Sequence, residues 1–227
     1  MIGVFSDSQG DLAAFDAAYE LLKGKGAKRF IFAGNRYSDL DEWILMRKDK
    51  ARGGRSYSDN DFLADVSSWL AGSTDVNVRG PVFGQEEEEQ KASQEVADLD
   101  RLRDKFTRVP ERDSLAFLDP SVEKKQVDMA GDALCCIVHD KNDLGREDLM
   151  NATLFIHGNE ASPKVVQIGP RFFVTAGKLA GATEQTCGMI ELVNRVLQFT
   201  AYTLDGKVVL PPKPLQAVAS KTKLSVK

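Results

Sequence analysis

Short apolar runs that each end in a polar loop are the feature that most constrains the fold of this chain. The first run, Ile2 to Ser6, leads into Asp7-Ser8-Gln9-Gly10, and the second, Arg29 to Ala33, leads into Gly34-Asn35. Between them, Asp11 can cap a helix whose apolar residues follow at helical spacing. Short apolar strands that alternate with helices predict an α/β fold with a largely parallel central sheet.

The same arrangement recurs along the rest of the chain. Further strands are predicted at Val76 to Arg79, Leu134 to Val138, Leu154 to Ile156, Lys164 to Ile168 and Arg171 to Thr175. The polar loops that accompany this series are Gly80-Pro81, His139-Asp140, Gly158 to Pro163, and Thr175 to Leu179. Because α/β sheets build their sites at the carboxyl ends of successive strands, these loops are expected to converge.

Turn residues organise the last part of the chain. Asn194-Arg195 separates two β-type runs and predicts a hairpin, and Asp205-Gly206 is a second turn signal because its residues tolerate positive φ. From residue 210 the pattern fails at three prolines, and a Lys-containing tail without acids follows. We therefore expect one domain over residues 1–209 and a flexible tail over 210–227.

Two segments read as insertions into this domain, at about 36–75 and 85–128. The first contains a predicted helix from Asp39 to Lys48 and a second helix with Trp69 on its apolar face. The other segment is acidic, and the Glu86 to Glu89 run suits the first turn of a helix. That helix is expected to carry one apolar stripe, Val96, Leu99, Leu102 and Phe106.

Composition excludes several classes of protein. A net charge of −4 argues against a dedicated nucleic-acid binder, which normally has a basic face. No apolar run approaches the roughly 20 residues that span a bilayer, and the N-terminus lacks the pattern of a signal peptide. The three cysteines, Cys135, Cys136 and Cys187, lack metal-site spacing and are expected to be core residues of a cytoplasmic protein.

The ordered loops resemble the motifs of the calcineurin-like metallophosphoesterases, in particular the small bacterial phosphodiesterase branch. That family reads D-x-H-G, G-D, G-N-x-D, H-G, G-H-T-H-x-P and N-P-G-S in this order. The resemblance covers roughly residues 1–35, 74–84 and 134–204. It implies a four-layer αββα sandwich with a dinuclear metal site at the strand ends.

The resemblance also implies which residues stand at the metal-ligand positions. Asp7 and His139 match family ligands. The other positions have lost theirs, because Gln9 replaces a His, Asn35 the bridging Asp, Pro81 an Asn, and Asn159 and Ala161 two His. An amide is a poor ligand for Zn, Mn or Fe beside imidazole.

The whole chain contains two His, and the second, His157, precedes the motif glycine and is read as a strand-end residue. The sequence therefore predicts no metal, no other cofactor and no catalysis through metal-bound hydroxide. A nucleophilic site from Asp7, Ser8, His139 and Asp140 stays open as another chemistry.

The resulting hypothesis is a pseudoenzyme that serves as a protein-binding or scaffold module. Retromer's scaffold subunit, which has the implied fold, is a precedent by analogy. Two alternatives stay open: a phosphoesterase with an altered metal site, and a metal-free sensor that binds a phosphate-containing small molecule in the polar pocket. The inserted segments and the tail are the expected contact surfaces for a protein partner.

Overall fold

The computed structural model describes residues 1–51, 99 and 101–216. Its strands are β1 (Ile2–Phe5), β2 (Arg29–Phe32), β3 (Phe106–Arg108), β4 (Gln126–Ala130), β5 (Ala133–Val138), β6 (Leu154–His157), β7 (Lys164–Ile168), β8 (Arg171–Thr175), β9 (Thr186–Val193), β10 (Val196–Thr203) and β11 (Val208–Pro214). Its α-helices are α1 (Leu12–Gly24), α2 (Asp39–Ala51), α3 (Leu115–Leu118) and α4 (Arg146–Asn151), and 3-10 turns lie at Arg103–Lys105 and Lys141–Asp143.

The chain divides into two compact units. The larger unit comprises Met1–Asp39 and Lys105–Lys227, and the smaller one comprises Leu40–Asp104. In the described part of the smaller unit the buried apolar residues are Leu40, Trp43, Ile44, Leu99 and Leu102. The predicted strand at 76–79, the helix around Trp69, the acidic run 86–89 and Val96 lie outside the described residues.

Two mixed sheets form the larger unit. The strand order is β11-β10-β9-β1-β2-β3 in the six-stranded sheet and β4-β5-β6-β8-β7 in the five-stranded sheet. The main core contains side chains of both sheets, including Val4, Ile31, Ile137, Ile156 and Phe199. The two sheets therefore face each other across a shared apolar layer.

Helix α1 covers the outer face of the six-stranded sheet. Asp11 is its N-cap and accepts a hydrogen bond from the Ala14 N–H at 2.9 Å, as the sequence predicted. Phe15 of α1 packs edge-on against Phe5 and Phe32, with ring centroids 4.9 and 5.0 Å apart. Such edge-to-face aromatic pairs add to the free energy gained by burying the rings.

A smaller apolar cluster covers the outer face of the five-stranded sheet. Cys136 and Phe155 belong to it, and Leu149 of α4 packs against it. Helices therefore lie outside both sheets, which confirms the predicted αββα sandwich. Burial raises the pKa of Cys136 to about 11, so this thiol stays protonated at neutral pH and behaves as a core residue, as predicted.

Two predictions about local structure were wrong. Phe106 lies on β3, which pairs in parallel with β2, and not on a helix. Its ring stacks on Phe30 at 5.0 Å, and this tertiary packing overrides the helical spacing of the stripe. Residues 106–108 and 126–128 were expected within the insertion at about 85–128, but they belong to strands β3 and β4 of the two sheets.

The expected tail does not begin at residue 210. Strand β11 continues to Pro214 and pairs with β10 as the edge of its sheet. Prolines are tolerated there because an edge strand does not need every N–H for pairing. Leu215 is buried in the core, and residues 217–227 lie outside the described part of the chain.

Candidate functional site

Backbone approach brings the ends of the two sheets together at the candidate site. Gly158 follows β6 and donates its N–H to the carbonyl of His139, at the end of β5, at 2.9 Å. A Cβ at Gly158 would overlap the carbonyl oxygen of Ala33, at the end of β2. The loops after β2, β5 and β6 therefore converge at one place, as the sequence predicted.

Asp7 lies at the centre of this convergence. Its carboxylate is buried, and the residue has a φ of 37°, a conformation that Asp tolerates better than most side chains. Its Oδ1 lies 3.0 Å from Nε2 of His139, and its Oδ2 accepts the N–H of Asn159 at 3.0 Å. Because an ionised carboxylate only accepts hydrogen bonds, the imidazole donates from Nε2.

Lys178 extends the contacts of Asp7. Its Nζ lies 3.8 Å from Asp7 Oδ2. The backbone holds it there: Lys178 forms a β-bridge with Ser6, and the next residue, Leu179, donates its N–H to the Ser6 carbonyl. Lys178 lies in one of the loops that were expected to converge, but no feature of its sequence pattern marks it as a site residue.

Asp39 forms a second buried carboxylate beside the loop after β1. The Ser8 hydroxyl donates to Asp39 Oδ2 at 2.6 Å, and the Gly10 N–H donates to the same oxygen at 2.8 Å. Arg36 Nε lies 3.2 Å from Oδ1. Sequence reasoning recognised Asp39 only as the start of a helix, because nothing in the pattern marks its contacts.

The remaining predicted site residues contribute less to this network. The Asn35 side chain accepts the backbone N–H of Gln9 at 3.3 Å, and Gln9 itself is exposed with a φ of 49°. Asn159 donates its side-chain amide to Asp140 at 2.7 Å. Ala161 is exposed, and Pro81 lies outside the described residues.

The position of β3 affects the prediction that Pro81 stands at a metal-ligand position. Since Phe106–Arg108 is the strand beside β2, the loop at its carboxyl end begins at Val109 rather than at Gly80. This loop is therefore a second candidate for the third motif of the series.

Burial and hydrogen bonding shift the pKa values of two groups near the site, His157 and Asp140. Burial lowers the pKa of His157, whose Nδ1 lies 2.9 Å from the Gly158 carbonyl. Burial by itself raises the pKa of Asp140. Hydrogen bonds from Asn142 and Asn159 outweigh this effect and bring the pKa of Asp140 below its usual range. Asp140 is therefore an ionised acceptor at neutral pH, and His157 is a neutral ring. His157 is the last residue of β6, as the sequence predicted.

The donor set does not fit the dinuclear metal centre that the fold family implies. Both oxygens of Asp7 already accept protein hydrogens, and the Nε2 of His139 carries the hydrogen that it donates to Asp7. An ammonium group, that of Lys178, lies beside the same carboxylate. Within residues 1–51, 99 and 101–216 no group of three or more His, Cys, Asp and Glu residues could hold a metal ion.

A nucleophilic triad is not assembled either. The Ser8 hydroxyl is bonded to Asp39, and His139 is bonded to Asp7. Among the described residues no hydrogen bond joins Ser8 to an imidazole that could take its proton, which a serine nucleophile requires.

Two solved structures resemble nearly the whole chain. A predicted phosphoesterase from Streptococcus pneumoniae aligns with 94% of this chain and 95% of its own, at 14% identity and a TM-score of 0.52. YfcE, a phosphoesterase from E. coli, aligns over 92% and 96%, at 17% identity and a TM-score of 0.51. A mutant of Vps29 from Entamoeba histolytica reaches a TM-score of 0.47 at 12% identity, too low for a conclusion about this chain.

No family model matches the sequence, and no curated protein does. At 14% and 17% identity the two phosphoesterase structures establish the fold and nothing finer. The chain has the calcineurin-like metallophosphoesterase fold, as its motifs led us to expect.

Proposed function

We propose that this protein uses the metallophosphoesterase fold without its metal chemistry, as a non-catalytic module that binds another protein. The observation that carries the proposal is the pairing of the two retained ligand residues. Asp7 and His139 are hydrogen-bonded to each other, and Lys178 supplies a positive charge beside Asp7. A two-metal phosphoesterase needs those same groups free to bind ions that activate water.

Exposed apolar side chains support the protein-binding part of the proposal. Val127 and Met129 lie on edge strand β4, and Met150 lies on α4; all three are exposed. Val127 pairs with Cys136, whose side chain belongs to the outer cluster that Leu149 of α4 also contacts.

The ion pair between Lys125 and Asp148, at 2.5 Å, joins the start of β4 to α4. We call Val127 and Met129 the β4 patch, because side chains two residues apart on a strand lie on the same face. Adjacent exposed apolar residues mark interaction sites more often than isolated ones do.

The first test concerns metal and turnover. Purified protein is expected to contain well under one equivalent of Zn, Mn, Fe or Ni and to hydrolyse no aryl phosphomonoester or diester, with or without added Mn²⁺. Its melting temperature should not respond to Mn²⁺. A bound ligand at about 100 times its dissociation constant would add about 2.7 kcal/mol to the free energy of unfolding, so binding would be visible as a higher melting temperature. Elemental analysis, a chromogenic assay and a thermal melt measure these quantities.

Two results would revive the alternatives. Stoichiometric metal, or turnover that is lost in both Asp7→Ala and His139→Ala, would indicate a phosphoesterase with an altered site. Stabilisation by inorganic phosphate or a nucleotide that Lys178→Gln removes would indicate a sensor of a phosphate-containing molecule. Turnover that persists in both Asp7→Ala and His139→Ala would indicate a contaminating enzyme.

The second test concerns the β4 patch. Val127→Asp combined with Met129→Asp should abolish partner capture from extracts of the native organism, because a buried, unpaired charge opposes apolar contact. Thermal stability should change little, since both side chains are exposed, Val127 to 64%.

Val208→Asp is the matched control. Val208 is 49% exposed on edge strand β11 of the other sheet, so its substitution should leave capture intact. Capture that is equal in the two variants and the parent would place the interface elsewhere on the protein.

The sequence also predicted that the protein does not insert into a membrane, and it predicted where the protein is located. No helix among the described residues is long and apolar enough to cross a membrane. A cytoplasmic location and the lack of nucleic-acid binding stay predictions from composition.

A further inference from the structure

A groove lies on the outer face of the five-stranded sheet, apart from the Asp7–His139 pair. Its volume is about 340 Å³, within the range of roughly 300–1,000 Å³ that small-molecule sites occupy. Apolar side chains form much of its wall: Leu149 of α4, Phe173 of β8, and Val166 and Ile168 of β7. Val166 and Phe173 are directly paired across the two strands, so they present one continuous surface.

A buried polar group lines the same groove. His157 is only 3% exposed, and its ring is part of the groove wall. Since Nδ1 donates to the Gly158 carbonyl, the neutral ring has a lone pair on Nε2. None of the described residues hydrogen-bonds to Nε2, so this nitrogen can accept a hydrogen bond from a bound molecule.

The groove also has a net positive charge from three ionic side chains. Glu160 accepts hydrogen bonds from Lys141 at 2.6 Å and from Lys164 at 2.7 Å, and all three residues line the groove. Two ammonium groups thus share one carboxylate, whose pKa they hold at about 2. Among these three lining groups one positive charge is left over, which favours an anionic ligand group. The carboxylate of Asp140, which does not line the groove, acts on Lys141 from beside it and reduces this charge in part.

We infer that this groove binds a small amphiphilic anion whose apolar body lies against β7 and β8. The ligand's hydroxyl or N–H donates to Nε2 of His157, and its carboxylate, sulfonate or phosphate contacts Lys141 and Lys164. The inference does not depend on the proposed function, because the groove shares no residue with the Asp7–His139 pair or the β4 patch.

A pair of fluorescent probes tests the ligand class. 8-Anilino-1-naphthalenesulfonate has an aromatic body, one N–H and one anionic group, and N-phenyl-1-naphthylamine is the same molecule without the sulfonate. The sulfonate probe should saturate one site and bind about tenfold more tightly, the size of one charge-assisted hydrogen bond. Lys164→Gln should remove most of that difference, and His157→Phe should weaken both probes about equally.

A blocking variant keeps the test independent of any folding defect at the buried His157. Val166 is 43% exposed, so Val166→Trp should fill the groove without disturbing the core and weaken both probes at least tenfold. Val208→Trp, on edge strand β11 of the other sheet, is the control and should bind like the parent. Equal affinities in the two Trp variants, unsaturable binding, or equal affinities for the two probes would each overturn the inference.

Discussion

Asp7→Ala is expected to lower the free energy of unfolding by about 3–5 kcal/mol, the range found when one member of a buried ion pair is removed. The substitution leaves the His139 Nε2–H and the Asn159 N–H without their acceptor, and the Lys178 ammonium without its nearest carboxylate. Denaturant unfolding of the two proteins, without added metal, measures the difference. In a functional metal site this aspartate would serve mainly to bind ions, and its loss would change metal affinity more than metal-free stability.

A double-mutant cycle of Asp7→Ala and Lys178→Met separates the contribution of the Asp7–Lys178 ion pair from that of the other contacts of Asp7. If Lys178 is the counter-ion of Asp7, the double variant should be more stable than the sum of the two single losses predicts. Asp132→Asn, at an exposed carboxylate, is the control and should change the free energy of unfolding by less than about 0.5 kcal/mol. A metal-free Asp7→Ala protein as stable as this control would contradict the assigned role of Asp7.

Gly158→Ala is expected to cost about 3 kcal/mol, at the upper end of overpacking penalties. The added Cβ would overlap the carbonyl oxygen of Ala33 and lie 3.1 Å from the Cβ of Ser6. Backbone cannot rotate aside as a flexible side chain can, so the ends of the two sheets must separate. The same movement would displace the Asn159 N–H from Asp7. Denaturant unfolding measures the overpacking cost and the loss of this hydrogen bond together.

Gly24→Ala provides the comparison for that variant. Gly24 is the last residue of α1, and a Cβ there would meet no atom within 4 Å. Because Ala is the better helix former by about 1 kcal/mol, this change should be neutral or slightly stabilising. Equal stability of the two glycine variants would show that the sheet ends tolerate a wider separation than their backbone contact indicates.

Local pattern was sufficient wherever short-range chemistry decides the structure. The Asp11 cap, the strand β7 from Lys164 to Ile168 and the hairpin turn at Asn194-Arg195 are present as predicted. Both turn residues have positive φ, at 50° and 66°, as a two-residue hairpin of this kind requires. In each case the neighbouring residues alone determine the favoured conformation.

Local pattern failed where a distant strand supplied the deciding contacts. Phe106 has helical spacing from Leu99 and Leu102, but parallel pairing with β2 and stacking on Phe30 place it in a strand. A tail was expected to begin at residue 210, yet the edge position of β11 accommodates the prolines that follow it. Neither outcome is encoded within a few residues of the position concerned.

The sequence alone predicted which ligand chemistry is missing from the site. The resemblance implies that Gln9, Asn35 and Asn159 stand where the family motifs place His and Asp, and this assignment stays a prediction. Only the tertiary structure decided what the two remaining groups do. Asp7 pairs with His139 and Lys178, and Ser8 pairs with Asp39, because convergent loops bring together residues far apart in the chain. Because the carboxylates of Asp7 and Asp39 are buried away from water, each needs hydrogen-bonding or charged partners within the protein. The residues next to them in the sequence do not specify which partners these are.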